Sequence, residues 1–132
     1  MRTGKAIISL LFFILIPLSA ALAGEAMITI TRAHQGQEIK VPAGALFRLV
    51  LEEPGATGYT WEIIDLDQEY LEVLRVDTTG PREPGFTGGP ITKTFELQAK
   101  KKGAATLKLA RYRPWEGKDK AVDRCHFNIL IF

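Results

Sequence analysis

The sequence predicts an all-β domain, an antiparallel β-sandwich of seven to eight strands, and three observations carry that prediction. Short apolar runs alternate with polar residues at period 2, the spacing of a strand with one buried face. Clusters of glycine and proline separate these runs at short intervals. Beyond Gly24 helix signals are almost absent, so nothing supplies the crossover helices of a parallel sheet.

In chain order, the first run sets Met27, Ile28 and Ile30 against threonines and ends in the turn His34-Gln35-Gly36-Gln37. Ile39 and Val41 begin a second extended piece that Pro42 stops, since proline suits a strand end. Ala45 to Leu51 is apolar and β-prone, and residues 52–58 that follow are rich in breakers. Tyr59 to Ile64 resumes as a strand with Tyr59, Trp61 and Ile63 on one face. Asp65 to Glu69 is polar and is expected to make a helical turn. Leu71, Val73 and Arg75 then alternate with Glu72, Leu74 and Val76. Thr78 to Pro90 is the longest irregular stretch, and a loop of that length usually has a function or is disordered.

Ile91 to Ala99 carries Phe95 and Leu97, and Lys100-Lys101-Lys102-Gly103 reads as a solvated turn. Ala104 to Tyr112 places Ala105, Leu107 and Leu109 together. Arg124 to Phe132 places Cys125, Phe127, Ile129 and Ile131 opposite His126, Asn128 and Leu130. Trp61 on a middle strand reads as a core tryptophan, which makes the expected sandwich immunoglobulin-like. Connections in such a sandwich alternate between its two ends. Residues 52–58, 78–90 and 113–121 therefore fall at one end.

A chain of 132 residues is enough for one domain with a real core and too short for two. Residues 1–23 read as a signal peptide: Arg2 and Lys5 precede an apolar core from Ala6 to Leu18, and Ala21-Leu22-Ala23 offers a cleavage site before Gly24. The expected mature domain, 24–132, is then periplasmic or secreted, with no membrane contact after cleavage. Of 17 basic residues Arg2 and Lys5 belong to that leader, which leaves 15 against 15 acidic ones. A near-neutral surface argues against nucleic acid as a partner. The single cysteine, Cys125, excludes an internal disulfide. Oligomeric state is not readable, and a monomer is the working expectation.

Catalytic chemistry is missing. Cys125 and His126 are neighbours, but on a strand they point to opposite faces and cannot form a dyad. His34 and His126 lack metal spacing, and Asp65, Asp67 and Glu69 lack a calcium loop. No metal, cofactor or catalytic residue is therefore assigned, and the chain is not read as an enzyme.

Arg113-Pro114-Trp115 makes a turn after a strand, and a tryptophan beside an arginine on a stiff loop tip has the composition of a binding hot spot; on the tripeptide alone, Trp115 folded back to cap the sandwich edge is the equal alternative. Taken with Thr57-Gly58-Tyr59-Thr60-Trp61 after a proline-containing turn, the tripeptide resembles the chagasin-like inhibitors of papain-family cysteine peptidases. That family carries N-P-T-T-G-[YF]-x-W, a glycine-rich central loop and R-P-W on three loops at one end of an immunoglobulin-like sandwich. The likeness covers essentially the whole expected mature chain. Here Pro54 stands where the family has Asn, Gly55 where it has Pro, and Ala56 where it has the first of two threonines. The central loop offers Gly88-Gly89-Pro90 in place of a G-x-G arrangement.

The resemblance implies a reversible, non-covalent inhibitor whose three loops block the active-site cleft of a papain-family cysteine peptidase. Its contact residues would be Pro54, Gly55, Ala56, Thr57, Gly58 and Tyr59 from the first loop, Gly88 and Gly89 from the central one, and Arg113, Pro114 and Trp115 from the third. Thr57 and Gly58 would present a narrow backbone edge to the catalytic trough, and Trp115 would stack on the primed side. Arg113 would stack on a ring or pair with a carboxylate at the rim. The alternative is an exported immunoglobulin-like adhesion or assembly module, which the sandwich alone supports equally.

Overall fold

In the computed structural model, which describes residues 27–80 and 89–132, eight strands form. They are β1 (Ile28–Thr31), β2 (Glu38–Val41), β3 (Leu46–Pro54), β4 (Thr60–Leu66), β5 (Leu71–Thr79), β6 (Pro90–Ala99), β7 (Gly103–Tyr112) and β8 (Asp123–Ile131). Single 3-10 turns cover Arg32–His34 and Lys118–Lys120. The expected leader, residues 1–23, and Gly88 lie outside the described residues.

The strands make two four-stranded sheets, β1-β3-β6-β5 and β2-β8-β7-β4. The pairs β3–β6, β5–β6, β7–β8 and β4–β7 are antiparallel, as expected, but β1–β3 and β2–β8, at one edge of each sheet, are parallel. The reason is the turn at Arg32–His34, which hands the chain from an edge of the first sheet to an edge of the second. Inner faces supply a core around Phe47, Leu49, Trp61, Phe95, Leu97, Leu107, Leu109, Phe127 and Ile129, each at most 2% exposed. The alternations read for β6, β7 and β8 are the alternations that bury, and the apolar run Ala45 to Leu51 alternates in the same way along β3.

Two bulges change the parity of β4 and β5, the edge strands that pair antiparallel. In β4 the ladder to β7 shifts between Ile63 and Asp65. Ile64 is the extra residue, so Asp65 turns outward opposite Lys108 and Leu66 joins Ile63 against the core. In β5 the shift lies between Val73 and Arg75. Arg75, grouped by period 2 with Leu71 and Val73, therefore faces Glu96 on the outer side instead. The helical turn expected across residues 65–69 is only a turn at 68–70, because β4 continues to Leu66.

The two strands that lead into the irregular stretches are longer than expected. β3 runs through Glu52 and Glu53 to Pro54, and β5 runs to Thr79. Pro54 lies opposite Pro90 at the last rung of the β3–β6 ladder. Neither has an amide proton to donate, so the ladder stops there and the chain is released into loops.

Candidate functional site

The first loop spans Gly55 to Tyr59 between β3 and β4, and the third begins at Arg113 after β7. They meet because Thr60 and Tyr112, the residues bounding them, face each other in the β4–β7 ladder. Ala56 and Gly58 have φ of 62° and 83°, both in the left-handed region, so the loop doubles back within five residues. That conformation suits glycine and strains alanine by about 1–2 kcal/mol.

Thr57 holds the turn from inside: its hydroxyl donates to the Pro54 carbonyl and accepts from the Tyr59 amide, both at 3.3 Å. These bonds do what an asparagine side chain does in a loop of this kind. Arg113 holds it from outside. Its Nε donates to the Thr57 carbonyl at 3.0 Å, and its guanidinium carbon lies 4.3 Å from the Tyr59 ring centroid and 5.8 Å from that of Trp115. The Arg113 Nη1 is 3.9 Å from Glu116 Oε1. The Arg113 head group is thus engaged within the chain, as a staple between two loops.

Trp115 is 71% exposed and lies over Gly58. A Cβ built on Gly58 would collide with the indole Cη2 and come within 3.0 and 3.1 Å of Cζ2 and Cζ3. Only glycine admits this contact. The turn under Trp115 closes through the Glu116 and Gly117 amides, which donate to the Arg113 carbonyl at 2.9 and 3.2 Å.

The second of the three stretches enters through Gly89, which is buried. A Cβ on Gly55 would lie 2.5 Å from the Gly89 carbonyl oxygen, so two glycine backbones touch where the first and central loops meet. Gly89 seats the first loop. Pro54 and Gly55 are half-buried at its base, while Ala56, Thr57, Gly58, Pro114 and Trp115 are exposed at the tip.

Beneath the loops lies a polar layer that sequence reasoning missed. Arg32 makes a two-pronged pair with Asp123, Nη1 to Oδ2 at 2.9 Å and Nη2 to Oδ1 at 2.8 Å. This bond holds the Asp123 carboxyl below its ordinary range. Arg32 and Arg111 both lie near the Trp61 ring, 5.3 and 5.8 Å from its centroid. The indole Nε1 donates to the Glu52 carbonyl at 2.9 Å. Trp61 is therefore a core residue that anchors the loop base.

The remaining titratable groups do not assemble into a reactive set. Cys125 is 3% exposed and burial pushes its thiol up to about 11, so it stays protonated at neutral pH. His126 is exposed on the opposite face of β8. Among the described residues no group of three or more His, Cys, Asp or Glu side chains could hold a metal ion.

The sequence matches the family model described as Chagasin family peptidase inhibitor I42 over residues 40–129. It is 23% identical to Amoebiasin-2 of Entamoeba histolytica over 108 residues, 77% of this chain and 83% of that protein. The fold is similar to the crystal structure of the cysteine protease inhibitor EhICP2 from Entamoeba histolytica, with a TM-score of 0.71 and 21% identity over 80% of this chain and 96% of that one. It is also similar to the solution structure of Amebosin, with a TM-score of 0.68 and 16% identity over 82% of this chain and 100% of that one. Two sheets of the expected architecture and a family match spanning more than half of the sequence lead to one conclusion: the chain belongs to the chagasin family of peptidase inhibitors and is an inhibitor, not an enzyme.

Proposed function

We propose that this inhibitor acts on papain-like cysteine peptidases by seating the tip formed by Ala56, Thr57, Gly58 and Trp115 in their active-site cleft, reversibly and without a covalent bond. One observation carries the reading: Trp115 lies exposed on Gly58 while Arg113 pins the Thr57 carbonyl, so a rigid aromatic edge and a narrow backbone edge project together. Large aromatics held in place before binding lose little entropy on association, which is how a small contact area becomes tight. Cysteine peptidases as the target class agree with the family and with EhICP2, described as a cysteine protease inhibitor.

Export is part of the same proposal, since a positive n-region, an apolar core and Ala21-Leu22-Ala23 fit a cleaved leader. The adhesion reading rested on the sandwich alone and loses its ground in a family of inhibitors. The test is titration of papain and a cathepsin L-type enzyme with the mature protein. Inhibition that is tight, reversed by dilution and leaves the inhibitor uncleaved supports the reading. A folded protein that inhibits neither enzyme at micromolar concentration overturns it.

A further inference from the structure

We infer that Glu53, Thr60 and Lys93 are positioning residues for the inhibitory tip: a buried polar clamp that closes the base of the first loop across the gap between the sheets. The inference rests on the reading of residues 55–59 as the binding edge. It starts from an architectural problem. β3 and β4 flank this loop but belong to different sheets, so no ladder joins them and no rung sets the width of the loop. β4 is also a sheet edge, which leaves backbone groups without strand partners.

Side chains from the facing sheet fill that role. Glu53 Oε2 accepts the Trp61 amide at 2.7 Å, and Oε1 accepts the Thr60 hydroxyl at 3.2 Å. Lys93 Nζ donates to the Trp61 carbonyl at 2.7 Å, to Thr60 Oγ1 at 3.0 Å and to Glu62 Oε1 at 3.3 Å. All three ammonium protons have acceptors, and the Thr60 hydroxyl passes its own proton contact on to Glu53. Both the amide and the carbonyl of Trp61 are thus held by side chains of the opposite sheet.

The burial of this network gives it meaning. Glu53 is 4% exposed and Lys93 is 8% exposed, on inner-face positions that continue the runs Phe47, Leu49, Leu51 and Phe95, Leu97, Ala99. Apolar residues there would stabilise a sandwich as well or better, because charged groups lose their hydration on burial. What apolar residues would not do is fix one distance between residue 53 and residues 60–61. That distance is the base of the loop whose tip carries Thr57 and Gly58. Lys93 ties β6, and with it the end of the central loop at Gly89, to the same point.

The test compares Thr60→Val, which keeps the shape and β-branching but loses the hydroxyl, with Thr60→Ser, which keeps the hydroxyl. Amide hydrogen exchange of residues 55–59, the melting temperature and Ki against papain are measured for both. The clamp predicts that Thr60→Val, which loses the hydroxyl's two hydrogen bonds to Glu53 and from Lys93, speeds exchange in 55–59 and raises Ki by about ten- to a hundredfold, while Thr60→Ser restores both. A melting temperature that falls with exchange at 55–59 and Ki unmoved assigns these residues to stability alone and overturns the inference. Exchange needs no peptidase, so if the wild type inhibits nothing the functional reading fails while the exchange arm still decides the clamp.

Discussion

Gly58→Ala tests the tip at its tightest point. The substitution does two separable things. At φ of 83° an L side chain is strained, which costs about 1–2 kcal/mol of stability. For a domain of roughly 100 residues this lowers Tm by about 5–10 °C. The new methyl also occupies the place of the Trp115 ring, which must leave. Trp115 is already 71% exposed, so its departure adds little to the loss of stability, but it removes the aromatic edge from its place beside Thr57. Displacing one aromatic hot spot costs about 2–4 kcal/mol of binding, or roughly 30- to 1,000-fold in Ki. Gly36→Ala is the control. Gly36 has φ of 76° and open space where a Cβ would go, so it carries the same strain without the collision. Both variants are titrated against papain with a fluorogenic substrate, after Tm has been recorded. If Gly58→Ala inhibits within about threefold of Gly36→Ala, the packing of Trp115 on Gly58 is irrelevant to inhibition and the reasoning is wrong.

Trp115→Ala is expected to weaken inhibition by about 2–4 kcal/mol with Tm nearly unchanged, since the side chain is mostly in solvent; inhibition equal to wild type would remove it from the interface. Arg113→Lys keeps the charge but loses the Nε donor to the Thr57 carbonyl and the flat stack on Tyr59, so calorimetric titration should show binding about tenfold weaker. Cys125 should resist Ellman's reagent in the native protein. Its thiol is protonated in both states below about pH 9, so its full contribution to stability is present there. As pH rises toward about 11 the unfolded chain ionises first, and urea denaturation should show about 2–3 kcal/mol lost across that window, a slope absent in Cys125→Ala.

The sandwich was legible because one face of each central strand is a row of apolar residues, and in β7 and β8 those rows run without a break. Two bulges were not legible, since the extra residues Ile64 and Leu74 are as apolar and β-prone as their neighbours. At the site, Thr57, Gly58 and Trp115 were read from local motifs, and they stand at the tip. Arg113 was read from the same motif, but its bonds within the chain were not legible, since only the fold brings Thr57 and Tyr59 beneath it. Glu53 and Lys93 did leave a trace, for each keeps the parity of a buried run. Ending β3 at Leu51 hid Glu53, and nothing in the local sequence of β6 marks the partners of Lys93, which lie in the other sheet.

In the proposed binding mode, the same bonds bear on how the tip survives in a peptidase. A substrate is cut when several consecutive residues lie extended, with the scissile carbonyl free to become an oxyanion. Here Ala56 and Gly58 hold left-handed backbone angles on either side of Thr57, and the Thr57 carbonyl is already bonded to Arg113. To present an extended strand the loop would have to release the Thr57 hydroxyl, the Arg113 staple and the Trp115 contact together. Each restraint is worth only about 1 kcal/mol, but they share one short loop and yield as a unit. Rigidity thus acts twice, by lowering the entropy lost on binding and by keeping the bound segment out of the geometry that cleavage needs. Loosening the loop should therefore turn a poor substrate into a better one as it weakens the inhibitor, and a variant of Arg113 or Thr60 that binds more weakly should also be nicked between residues 55 and 59.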